Sequence, residues 1–184
     1  MTDNVAPSLS SFPRTGFFRR LAALVYDWLV CVALYMVAGL IYSAIFLALF
    51  QNGVIANQGY EHASDLLNNS FVAKSLMNIW GLSWCGLFLV WFWTHGGQTI
   101  GMRAWRLHLV DNAVKSSDAS SLHAAPVSIK QAIIRLFTAL GGLGNLLMLI
   151  DFKNKKALQD RLSNTEIVTL TKEANGKLYK SHKI

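Results

Sequence analysis

Between residues 21 and 50 the chain carries one Asp, Glu, Lys, Arg or His, and it is Asp27. As a helix, a run of that length exceeds the ~20 residues that cross a bilayer. An ionisable group at the centre of such a helix costs roughly 2.5–3.5 kcal/mol on insertion scales, so it is normally kept for a reason. Arg20 stands seven positions earlier. Seven residues make nearly two turns, so Arg20 and Asp27 project from almost one face, about 10 Å apart along the axis. The helix is expected to begin at Gly16 or Phe17 and to end near Phe50. It is too long for the hydrocarbon, so it tilts or places its first turns among the headgroups. Asp27 is deep or interfacial accordingly.

Arg19 and Arg20 ahead of an apolar run imitate a secretory signal. A signal's apolar region spans only about 7–15 residues, however, and no small-x-small site closes this one. The segment is expected to be an uncleaved first transmembrane helix.

Hydrophobic residues make up 53% of the 184-residue chain and charged residues 15%, against about 25% charged in soluble domains. An integral membrane protein follows, sized for one small bundle. Cys31 and Cys85 both fall in apolar stretches, as small buried hydrophobes do. Their number and spacing support no disulfide framework and no metal site. No nucleophile–base arrangement and no metal-ligand cluster is legible, so no catalytic residue, metal or cofactor is expected and the chain is not read as an enzyme. The basic segments lack the interleaved aromatics of a base-stacking platform, which argues against nucleic acid.

The fold expected is an all-α membrane bundle. Two spans are firm, at residues 21–50 and 76–94, and a third segment at 132–150 crosses or re-enters. Residues 1–15, with Pro7, Pro13 and several serines, are expected to be disordered. Residues 51–73 read as a polar loop with no Lys or Arg. The second span holds Trp80, Trp84, Trp91 and Trp93, the last two placed like an interfacial belt. Gly81 and Cys85 offer faces where another helix could approach closely. Gly96 and Gly97 are expected to end that helix. A polar insert, residues 95–130, follows. Within it, residues 106–111 alternate and predict a short strand or hairpin arm.

Charge asymmetry sets the topology. Arg14, Arg19 and Arg20 predict an N-terminus on the cytoplasmic side, with residues 51–73 outside. Arg103, Arg106, Lys115 and Lys130 bring the insert back inside. A third full crossing would put the tail outside, yet residues 153–184 contain eight Lys and Arg. Either the third segment crosses against the rule, or the Gly141-Gly142-Leu143-Gly144-Asn145 break is the tip of a re-entrant pair. The basic tail, 171–184, is expected to meet anionic lipid.

Three segments, in order, resemble the RDD family of bacterial membrane proteins. The first is Gly16-Phe17-Phe18-Arg19-Arg20-Leu21-Ala22-Ala23-Leu24-Val25-Tyr26-Asp27, with the family's arginine at Arg20 and its first aspartate at Asp27. The second is Gly97-Gln98-Thr99-Ile100-Gly101-Met102-Arg103 with Leu107-His108-Leu109-Val110-Asp111. The third is Lys156-Ala157-Leu158-Gln159-Asp160-Arg161-Leu162-Ser163-Asn164-Thr165, with the second aspartate at Asp160 and the usual threonine at Thr165. The resemblance covers residues 16–170. Lys156 and Gln159 replace the arginine and histidine common in the closing motif, and Ser163-Asn164 replaces a common Ala-Gly pair. The resemblance implies a polytopic membrane protein for which transport of unknown ligands, or cation/proton exchange, has been suggested.

The candidate polar set is therefore Arg20, Asp27, Arg135 and Asp160. In one account Asp27 faces a polar cavity and exchanges a proton or cation, which for so short a chain requires a homo-oligomer or a larger membrane complex. In the other, Asp27 satisfies an arginine such as Arg135, or joins Asp160 in a cytoplasmic cap, because buried charges are normally paired. The chain is then a non-transporting module that binds lipid or a partner protein through its basic surface.

Overall fold

The computed structural model describes residues 11–115, 127–139, 145 and 157–181. Helix α1 spans Phe17–Gln51 and helix α3 spans Phe71–His95. Both are long and apolar enough to cross a membrane. In their most apolar windows only 11% of α1 and 6% of α3 is buried. A core helix of a soluble protein would be covered by its own chain. These helices instead expose Leu29, Val32, Met36, Leu40, Ile79, Leu82 and Leu87, a surface suited to lipid.

Between them the expected loop contains a short helix, α2, Ala63–Asn69, with Ala63 and Leu66 buried. Isolated, so short a helix would be marginal. Here packing on Phe46 and Ala73 provides what propensity does not. After α3 come α4 (Ile100–Ala104), β1 (Leu107–Asp111), α5 (Asn112–Lys115), α6 (Ile129–Ala139), α7 (Leu158–Leu162), β2 (Thr165–Thr169) and α8 (Lys172–Ser181). Of the third apolar segment, only α6 up to Ala139 and the single residue Asn145 are described. Eleven residues are too few to cross alone, and the rest of the expected span at 132–150 lies outside the described residues.

The contacts divide the chain into Leu29–Phe88 and the remainder, Met1–Trp28 with Leu89–Ile184. In the first unit the two long helices run antiparallel. Cys85 Sγ meets the Cys31 carbonyl at 3.3 Å, Tyr35 Oη donates to Asn78 Oδ1 at 2.6 Å, and Trp80 Nε1 donates to the Ala38 carbonyl at 3.1 Å. The Tyr35 ring occupies the space a Cβ at Gly81 would need, so that glycine does permit close approach.

The second unit is built on a sheet. β1 pairs antiparallel with β2, in register from Leu107↔Thr169 to Asp111↔Thr165. The strand predicted at 106–111 is therefore present, but its partner is the closing motif rather than a hairpin neighbour. Residues 11–15, expected to be disordered, lie along the other edge of β2. Thr15 N donates to the Ile167 carbonyl and Thr169 N to the Pro13 carbonyl, both at 2.9 Å. Two strands alone would be marginal. This pair is covered on both faces: Leu107, Leu109 and Ile167 pack with Ala23, Trp93, Met102 and Ala132, while Val110 and Val168 pack with Phe12, Leu170, Ala174 and Leu178. The last two of those residues come from α8, which forms within the basic tail.

Candidate functional site

Asp160 is the centre of the polar set. It sits at the third position of α7 and is 1% exposed. One carboxylate oxygen accepts from Arg20 Nη1 and from the Ala157 amide, the latter at 3.3 Å. The other accepts from Arg135 Nη1 at 2.7 Å. Arg135 Nη1 also donates to Thr165 Oγ1 at 2.9 Å, and Ser163 Oγ lies 2.7 Å from that same hydroxyl. The Arg135 guanidinium carbon stands 5.6 Å from the centre of the Trp93 ring, a distance at which the ring face attracts a cation. One carboxylate thus joins α1, α6, α7 and, through Thr165, β2. Burial alone would raise the Asp160 pKa, but the charges of Arg20 and Arg135 and their hydrogen bonds outweigh it and hold the carboxyl below the usual range.

Each arm is placed by a local rule. Arg20 lies in the first turn of α1. Arg135 projects from α6, whose start is fixed by a capping box: the Gln131 amide donates to Ser128 Oγ and the Ser128 amide to Gln131 Oε1. Gln131 Nε2 then reaches Asp111 at 3.0 Å and ties α6 to β1. Asn164 turns the chain from α7 into β2 at φ 52. This left-handed conformation is tolerated by Asn and Gly, which explains why Asn164 can stand where the family pattern commonly has glycine.

Asp27 does not pair with Arg135, as one expectation had it, and does not share hydrogen bonds with Asp160. Its partners are neutral. Thr99 Oγ1 donates to one oxygen and the Gly101 amide to the other, the latter at 2.8 Å. Thr99 is also the N-cap of α4, its hydroxyl accepting from the Met102 amide. A Cβ at Gly101 would collide with the Ala23 carbonyl and come within 3.0 Å of the Asp27 carboxyl. Glycine there lets α4 close on α1. Thr99 and Gly101 were legible as part of a recurring motif, but nothing in their uncharged side chains marks them as carboxylate partners.

Arg20, Asp27 and Arg135 nevertheless line one cavity of about 70 Å³, with Asn145 and Gln159 on its wall. Gln159, which stands in place of the family's histidine, donates through Nε2 to Asn145 Oδ1 at 2.6 Å. Lys156 lies outside the described residues. Around this centre, Gln98 Nε2 bridges the Leu107 carbonyl and Asn175 Oδ1 at 2.7 and 2.9 Å, tying α8 to the insert. Arg14 pairs with the buried Glu166 at 2.9 Å. His95 stacks on Trp91 at the end of α3. Among the described residues no group of His, Cys, Asp and Glu is placed to hold a metal ion.

No curated protein and no solved structure matches the chain. The model of the RDD family matches residues 14–164, which include all four members of the polar set. That match covers most of the sequence, and together with two lipid-suited helices it makes this a membrane protein that belongs to the RDD family.

Proposed function

We propose that the chain is a multi-pass module of the bacterial inner membrane, with its N-terminus in the cytoplasm, that binds anionic lipid or a partner protein through its basic cytoplasmic surface and does not itself move ions. The observation that carries this reading is the saturation of its carboxylates. Asp160 has both oxygens engaged by arginines, and Asp27 has both engaged by Thr99 and Gly101. A cation would have to compete with two guanidinium groups at the first and displace two donors at the second. The charges act as a clasp that assembles the cytoplasmic lobe. Arg19, Arg106, Lys130, Lys172 and Lys177 are exposed, and each basic residue near an anionic leaflet is worth about 1 kcal/mol. This reading assigns no catalysis, cofactor or nucleic-acid partner; a homo-oligomer or a larger membrane complex is called for by the exchange reading below.

The test is reconstitution of the full chain into vesicles loaded with a pH-sensitive dye. The module reading expects a sodium or potassium gradient to drive no more proton movement than in protein-free vesicles. It also expects Arg106→Glu with Lys130→Glu to lower the anionic lipid retained by the purified protein. Cation/proton exchange is the second reading, favoured by the presence of Asp27 on the cavity wall. Cation-driven proton flux that Asp27→Asn abolishes, with abundance intact, would replace the first reading by the second.

A further inference from the structure

We propose that the cavity beside Arg20 is a binding site for a small monovalent anion, of the size of chloride or formate, held by the free edge of the Arg20 guanidinium. This goes beyond the module reading and does not depend on it.

Arg20 is 3% exposed. Its Nη1 is committed to Asp160, while Nε and Nη2 are fully buried and have no hydrogen-bond partner. Those two nitrogens form one edge of the planar guanidinium, the fork that grips an oxyanion with two parallel bonds or a halide between them. Buried donors of a charged group are costly to leave unmet, and this pair belongs to a residue that lines a cavity of about 70 Å³. A space of that size has room for an anion as small as chloride or formate.

Arg20 and Arg135, each bonded to Asp160, leave one positive charge within the clasp, and Asp27 on the same wall offsets it, so the site rests on the unmet Arg20 edge and not on net charge. The Gln159 amide oxygen is likewise buried without a partner. Turning the Gln159 and Asn145 amides end for end keeps their mutual bond and presents an N–H in that oxygen's place. Asp27 is the opposing group on the wall. Its oxygens are turned to Thr99 and Gly101, but its charge weakens the site.

The test is thermal unfolding of the purified full chain in neutral detergent, with sodium chloride or sodium formate exchanged for sodium gluconate at constant ionic strength. The site predicts a saturable rise in Tm with chloride or formate, on the order of 4 °C at ten times the dissociation constant. Ala23→Val, which adds bulk at the cavity wall and removes no charge of the clasp, should abolish the rise. Asp27→Asn should shift the half-maximal concentration several-fold downward. Should Ala23→Val fail to fold, the Asp27→Asn shift decides alone. Equal Tm values in all three salts would mean that the cavity holds water only. A rise unchanged in Ala23→Val, or an unchanged half-point in Asp27→Asn, would equally overturn the proposal.

Discussion

The two units of this chain are held together by different physics. In residues 29–88 the hydrogen bonds described between the two long helices are neutral: Tyr35 with Asn78, Trp80 with the Ala38 carbonyl, Cys85 with the Cys31 carbonyl, and Tyr42 with the Ala73 carbonyl. Their outer surface is apolar and uncovered. In the other unit a carboxylate and two arginines meet under near-complete burial, and strands, short helices and an N-terminal segment converge on them. The first arrangement relies on lipid to enclose its apolar faces, and losing one neutral hydrogen bond leaves most of it intact. The second concentrates its stability in a few charges, and removing one leaves another stranded.

The comparison breaks first at Asp160. Asp160→Asn leaves two buried guanidinium groups facing each other, and removing one partner of a buried ion pair costs about 3–5 kcal/mol. The expected result is a large drop in Tm in detergent and loss of protein from the membrane. Asp27→Ala comes next. It strands the Thr99 hydroxyl and the Gly101 amide at about 1–3 kcal/mol each, whereas Asp27→Asn keeps an acceptor for Gly101 and should cost clearly less in the same unfolding assay. Gly101→Ala forces a methyl against the Ala23 carbonyl, an overpacking that costs about 1–3 kcal/mol. In the helix pair, Tyr35→Phe removes one hydrogen bond between spans, which averages about 0.6 kcal/mol in membrane proteins, so its Tm should barely move. A drop for Tyr35→Phe equal to that for Asp160→Asn would erase the distinction between the two units.

Acid sharpens the same contrast. The Asp160 carboxyl is held below its ordinary value, so its share of stability is fully present above about pH 4, the unfolded aspartate value. That share is lost as the pH falls through the lower folded value. Below about pH 4 the wild type should therefore lose stability through this group, while Asp160→Asn lacks that contribution throughout. Parallel pH profiles for the two proteins would contradict the charge pairing described here.

Much of this was readable from residues alone. The apolar run from 21 to 50 and the tryptophan-bearing second span follow from length and composition, and both appear as long exposed helices. Arg20, Arg135 and Asp160 stood out as charges beside or within apolar segments, and they do meet. The exchange of partners did not show. Asp27 looked like the natural mate for an arginine, but the short α4 brings it a threonine and a glycine amide, which carry no charge to betray them. The pairing of β1 with β2 was hidden because it is non-local. Alternation marks a strand, and nothing in residues 107–111 names residues 165–169 as its partner. Residues 11–15 were misjudged because serine and proline suggest disorder, while edge pairing needs only backbone groups, and Thr15 and Thr169 supply the N–H donors.

The central claim is that Arg20, Asp160 and Arg135 act as one charge unit that assembles the lobe. A double-mutant cycle measures it most directly: unfolding free energies of the wild type, Asp160→Asn, Arg135→Gln and the double variant, in one detergent at one pH. Contacting charges should couple, so the double variant should lose less than the sum of the two single losses, by about 0.5–3 kcal/mol. Strictly additive losses, or an Asp160→Asn protein as stable as the wild type, would contradict the account.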